Sequence, residues 1–403
     1  MTAIAQHGRS DRPQTISRST PEPTHSRMTG STSDPSRTIS NRFASSIWFP
    51  VAAAYAALIL PWSVLAQQRL VAAPAGLSNA QGHGHEMLFG FALAVVAGYT
   101  LRPNARGTAW LLLGIWLAAR IGSAVWPQHW STQMLNALFA LGLAWSVAPI
   151  YLRADKWRNR SVALILVALA LSVLVFPAIG RGARDEAPFT LLLGAVLLIS
   201  GLMFFMGGRI LAPAIAGHVR RIGPPLRHVV QARVEGTTLI LLAAAFLACL
   251  LPWTGTRTLC GLLLVTCAVL TVARIGRWRF WLCRNRADLL ALLAGYGWLV
   301  AGWLLLGHAL LAGINPTAAL HAITVGALGT LTFSVMLRTQ MFRMLSDTNA
   351  VPQAYACAAL MSVAAILRIT AGPLWMVLIA AAIWSAGYAS LCVMLLYLGR
   401  QAR

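Results

Sequence analysis

Residues 85–102 read HEMLFGFALAVVAGYTLR, apolar from Met87 to Leu101 and bounded by His85 and Glu86 at one end and Arg102 at the other. At about 1.5 Å per helical residue, the 17 steps from His85 to Arg102 cover about 26 Å. That is most of the hydrocarbon thickness of a bilayer, about 30 Å. The run therefore reads as a membrane-spanning helix with its ionisable groups held at the two interfaces. The rest of the chain agrees: of 403 residues, 58% are hydrophobic and 10% charged, and the mean hydropathy is +0.68. A soluble domain carries about 25% charged residues, so the composition excludes that class and indicates an integral membrane protein.

Working outward from this run, apolar stretches follow one another from Phe43 to the C-terminus. Twelve spans are expected, at 47–66, 84–101, 108–126, 132–152, 161–179, 187–207, 228–252, 257–275, 287–312, 315–337, 353–371 and 373–398. The fold class is an all-α polytopic bundle. If the N-terminal tail is inside, the inner segments carry 25 Lys or Arg and the outer loops 5, with Arg120 and Arg233 left within spans. Both termini are therefore expected in the cytoplasm, by the rule that basic residues stay on that side. The net charge of +22 becomes a property of the inner surface, suited to anionic lipid. It does not call for nucleic acid as a partner.

The transmembrane domain covers 47–398 and a short cytoplasmic end covers 399–403. Residues 1–46 contain 17 Ser or Thr and six Arg with few large apolar side chains, so they are expected to be a disordered cytoplasmic tail. Asp11, Glu22 and Asp34 argue against a transit peptide. The six cysteines show no metal-ligand spacing, and most fall in apolar runs where an inert thiol is expected. Cys249 and Cys260 alone flank a short loop that a disulfide would cross.

Ionisable groups within spans are costly and point to function. His83, His85 and Glu86 open the second span, His129 lies in an outer loop, His308 closes the ninth span and His321 begins the tenth. All of these histidines fall towards the outer face. The tenth span reads HAITVGALGTLTFSVMLR from His321 to Arg338, and repeats the second in three respects: His first, Gly five residues later and Leu-Arg last. Thr324, Val325 and Leu328 share a helical face with His321. Gly326 and Gly329 add surface for the close approach of a helix or a flat cofactor.

Imidazole is a ligand for haem iron, copper and zinc. Two histidines from two helices at one depth, such as His85 and His321, suit haem. His83 and His85 bind one metal only if the chain is not yet helical there, since helical residues two apart point about 200° apart. Otherwise they serve two partners, for instance a haem and a second metal. Glu86 is a candidate to orient an imidazole, bind metal or carry protons. Arg120 is placed to pair with Glu86 or with a haem propionate. Arg233 and Glu235, on different sides of the seventh span, each need a polar partner.

Four stretches resemble the NnrS family of polytopic membrane proteins. GHGHEMLFGFALAVVAGY at 82–99 and ALHAITVGALGTLTFSVMLR at 319–338 carry the resemblance most sharply, and MGGRI at 206–210 and AGYGWLVAG at 294–302 add to it. The resemblance implies haem and copper as cofactors and a role in the response to nitric oxide. It carries functional weight to His83, His85, Glu86, His321 and Arg338, with Arg209 a weaker addition. His308 rests on its depth alone. The chain departs from the family pattern at Gly82, where a Trp is usual, at Leu293, where many members have His, and at MFRML 341–345, where the family has G-H-T-G-R.

The expectation is thus a haem- and copper-binding protein of a bacterial inner membrane, protecting against nitric oxide and nitrosative stress, with a small gaseous or nitrosyl ligand. Metal ligands are expected among His83, His85, Glu86, His321 and His308, and cofactor contacts from Arg120, Arg338 and Arg209. The competing expectation is a secondary transporter using Glu86 and Arg120 as a proton or anion relay. An assembly subunit would use none of these residues chemically.

Overall fold

The computed structural model describes residues 43–401 except 103–104, 183–186, 252, 254 and 371. The tail expected to be disordered lies outside the described residues up to position 42, and its last four residues begin the first helix. Among the described residues there is no strand. Twelve long helices follow in order among these residues: α1 Phe43–Gln67, α2 80–100, α3 Arg106–Val125, α4 Trp130–Leu152, α5 Trp157–Gly182 and α6 Ala187–Ile222. The second half comprises α7 Ala232–Leu250, α8 Thr256–Arg277, α9 Ala287–Leu311, α10 Thr317–Leu345, α11 Pro352–Ile369 and α12 Leu374–Gln401. Eleven of them are each long and apolar enough to cross a membrane. α2 is the twelfth, a continuous run of three helical segments.

The expected spans and the helices agree to within about four residues except at α10, which runs on past the expected 337 to Leu345, and at α6. Its 36 residues extend about 54 Å, well beyond a bilayer's hydrocarbon. The segment after 207, expected to be an inner loop, is helical to Ile222 because Leu211, Ala212, Ile215 and Val219 stay buried on one face. There His218 Nε2 meets the Leu282 carbonyl at 3.2 Å.

Helices adjacent in sequence pack side by side, and α12 closes the set against α1. The Trp384 indole donates to the Ala56 carbonyl at 3.2 Å across that closure. α2, α6 and α10 form the interior. Every residue of α2 from Glu86 to Ala92 is buried. In α6 and α10, 78% of the most apolar stretch is buried, against 33–61% in the other helices of membrane-crossing length. Those outer helices present Trp110, Leu111, Trp145 and Leu164 outward, the surface a lipid environment requires. α2 is admitted to the centre by small residues: at Gly98 a Cβ would fall 2.6 Å from the Phe49 ring. All six cysteines are free, Cys249 and Cys260 included.

Candidate functional site

The two copies of the His-plus-Gly pattern share a backbone feature. Directly after His85, residues Glu86–Ala92 form a wide π-helical turn, and directly after His321, Ala322–Ala327 form another. Such turns insert one extra residue and re-aim the side chains beside them, and they concentrate at functional sites. The glycine of each pattern admits a partner. A Cβ on Gly90 would stand 2.8 Å from Arg120 Nη1, and one on Gly326 would stand 2.6 Å from the Trp298 ring. The Gly90 carbonyl also accepts from the Trp116 indole at 3.0 Å.

The chain is helical from Ala80 to His85, started by Asn79, whose side chain accepts from the Gly82 amide at 2.8 Å. His83 and His85 therefore point to different sides, and each lines a different cavity. It is His83, and not His85, that shares a cavity with His321.

The His83–His321 cavity has a volume of about 230 Å³ and is bounded by α1, α2, α6, α10, α11 and α12. Its polar groups are Gln67, Gln81, His83, Thr317, His321, Thr324 and Arg368, and apolar side chains such as Met87, Phe91, Leu192 and Leu328 make the remaining wall. Thr324, Val325 and Leu328 all line it, as their helical face requires. His83 Nδ1 pairs with Ser63 Oγ at 2.6 Å, and His321 Nδ1 donates to the Thr317 carbonyl at 2.6 Å. A neutral imidazole that donates from Nδ1 keeps a lone pair on Nε2. Anchoring through one nitrogen is how proteins orient a metal-binding imidazole.

The second cavity is smaller, about 110 Å³, and polar: His85, Glu86, Asn79, Gln81, Gln133 and Asn136 are on its wall. Behind it, the buried Glu86 carboxylate is fully engaged. Oε1 accepts from His85 Nδ1 at 2.8 Å, and Oε2 accepts from Arg120 Nη1 at 2.7 Å and from the Tyr55 hydroxyl. Arg120 is 5% exposed, so it is a core residue and not an interfacial one. Its other terminal nitrogen donates to Asn136, which in turn donates to Ser123 Oγ and the Thr132 carbonyl, both at 2.9 Å.

Among the described residues, no group of three or more His, Cys, Asp or Glu gathers where one metal ion would sit. His85 and Glu86 supply two donors at most, and Glu86 is already committed. The donor set for copper is therefore incomplete. Haem needs fewer ligands, and the larger cavity fits its chemistry: two anchored imidazoles, a guanidinium for a propionate and an apolar wall for the ring. Its volume lies below the range of about 300–1,000 Å³ usual for drug-sized ligands, so a macrocycle requires flexible side chains such as Met87 to turn aside.

The remaining expected residues lie elsewhere. His308 is exposed on α9 and lines neither cavity. Arg338 is at the opposite end of α10 from His321, where it pairs with the fully buried Asp288. Asp288 also accepts from Arg286 at 2.9 Å and from Thr348 at 2.8 Å. Arg209, itself exposed, borders a third group at that same end, built around the buried Glu235. Glu235 receives Arg158 Nη1 at 3.0 Å, with Arg274 at 3.7 Å and Arg209 at 3.9 Å. The MGGRI and AGYGW stretches meet here. Arg274 donates to the Tyr296 hydroxyl at 3.1 Å and lies 2.6 Å from where a Cβ on Gly208 would be. Glu235 thus has its polar partners, while Arg233 is exposed.

Tyr55, Ser63, Asn136 and Arg368 were not anticipated from the sequence. Arg368 carried a signal, a lone arginine near the outer end of a span. Tyr55 and Ser63 carried none, being single residues on an otherwise apolar helix.

A family model described as NnrS protein matches residues 46–402, nearly the whole chain. No curated protein matches it.

Proposed function

Since the chain belongs to the NnrS family of polytopic membrane proteins, we propose that it binds haem between α2 and α10 and serves in defence against nitric oxide and nitrosative stress, from the inner membrane of a bacterium. The observation that carries this reading is the pair His83 and His321, both anchored through Nδ1 and both lining one largely apolar cavity. These two residues would hold haem through Nε2, Arg368 would face a propionate, and Met87, Phe91, Leu192 and Leu328 would take the ring. When bound, haem would supply an iron centre to which a small diatomic ligand could bind only in place of one of the two imidazoles.

The chain's own residues do the rest. Ser63 and the Thr317 carbonyl set the imidazole orientations on the cavity wall. Apolar side chains exclude water from its floor. The Glu86 group keeps the start of α2 in register from the other side, and it leaves His85 Nε2 facing the polar cavity. The described residues do not complete a copper site, so copper has no part in this reading. The Glu86–Arg120 pair is closed and buried, which supports a fixed structural pair over the mobile relay of the transporter alternative.

The test is spectroscopic. The full chain, produced with haem supplied and purified in mild detergent, should show a haem spectrum in oxidised and reduced states. His83→Ala and His321→Ala should lose or shift it. A colourless wild-type protein under those conditions would refute the proposal.

A further inference from the structure

Below the histidine cavity lies a second space on the same axis, about 90 Å³ in volume, walled by α2, α6 and α10 alone. It exposes no polar surface. Its upper wall, including Ala92, Val95, Ile199 and Leu202, is fully buried, whereas Tyr99, Thr100, Met206, Ile210 and Val335 at its lower end are half-buried. The space is therefore closed towards the histidines and opens towards the end of the bundle that carries Asp288 and Glu235. Leu328 lines both this space and the histidine cavity, so its side chain stands at their boundary.

The chemistry of the wall selects the guest. A water molecule needs two to four polar partners, and apolar cavities stay dry while binding xenon or benzene. Ions and protons are excluded for the same reason. A space of about 90 Å³ is too small for an acyl chain to lie along its length. What remains is a small uncharged molecule, of the size of a diatomic gas.

We propose that the cavity between α2, α6 and α10 is a docking site for a small uncharged gas, open at the arginine-rich end, and that Leu328 gates its passage to the cavity lined by His83 and His321. Docking stands on the cavity alone, and delivery rests on the haem reading above. A gas that partitions into the membrane or crosses from the cytoplasmic side thus reaches the histidines from below. The polar mouth at Gln67, Gln81 and Arg368 is left to charged or hydrated species.

Xenon tests the docking without any cofactor. Crystals of the full chain, pressurised with xenon, should show an anomalous peak among Ala92, Met203 and Leu331. The peak should vanish in Ala92→Phe, and in Leu328→Ala it should extend upward into the histidine cavity. The second variant guards against a misfolded first one. Absence of the peak while xenon occupies other places, or acyl or detergent density filling the space, would overturn the proposal. Delivery is read from carbon monoxide rebinding after flash photolysis of the haem-loaded chain. Rebinding should slow several-fold in Leu328→Trp and quicken in Leu328→Ala, and an unchanged rate in both would remove the gate. A chain that takes xenon here but no haem would sink the haem reading and leave the docking site standing. Haem without xenon would do the reverse.

Discussion

Arg120→Met should destabilise the protein more than any conservative change on its lipid-facing surface, and the loss should be recoverable by a second substitution. Glu86 and Arg120 are 1% and 5% exposed, and among the described residues their 2.7 Å contact is the only charge-to-charge pairing either makes apart from His85. Removing one member leaves the other's charge buried without compensation, a loss of about 3–5 kcal/mol. Glu86→Gln should cost a similar amount, because Arg120 then keeps only neutral partners. In the double variant no uncompensated charge remains, and the new amide at position 86 still has Tyr55 and His85 beside it. The double loss should fall short of the summed single losses by about 2–3 kcal/mol, the upper range for residues in direct contact. Arg120→Lys should not restore the protein, since an ammonium cannot reach Glu86 and Asn136 together as the planar fork does. The assay is reversible unfolding in mixed micelles, followed by fluorescence of the 15 tryptophans. Additivity within about 0.5 kcal/mol would refute the reasoning, because it would mean that the two groups are hydrated or apart.

Other substitutions separate the sites. His85→Ala should leave the haem spectrum in place, whereas His83→Ala should lose or shift it; equal effects would contradict the division into two cavities. Ser63→Ala should weaken haem retention by about 10–100-fold through the freed His83 ring, measured by transfer of haem to an acceptor protein. Glu235→Gln should destabilise the arginine-rich end by about 3–5 kcal/mol, since three guanidiniums then face each other around a neutral amide; thermal unfolding would show it, and an unchanged midpoint would count against the cluster. His308→Ala should alter neither spectrum nor stability, and a changed spectrum would bring that exposed position back into the site.

The helices were legible because burial in lipid demands long apolar runs. The repeated His, Gly and Leu-Arg spacing of the second and tenth spans was legible as well, and it marks the two helices that meet at the cavity. Its geometric cause, a π-helical turn after each histidine, has no distinct composition and could not be read. The choice between His83 and His85 turned on whether residues 80–85 are helical, a question that two glycines leave open and the Asn79 cap decides. Arg338 looked like a site residue because it closes the repeat. Its actual partner, Asp288, lies 50 positions away, a pairing no local pattern reveals. The same holds for Arg209, whose group draws on α5, α6, α7 and α8.

The closure of α12 on α1 has a bearing on how the protein is made. The histidine cavity takes Gln67 from the first helix and Trp384 from the last. At about 5–20 residues per second, roughly half a minute of synthesis separates the two. Until α12 has left the insertion machinery, the cavity lacks a wall and α1 lacks its largest neighbour. A chain that lacks α12 therefore presents no finished pocket, and whatever fills the cavity must be loaded after α12 has been made. Quality control acquires a simple criterion from this: only a chain that includes α12 can hold a finished cavity.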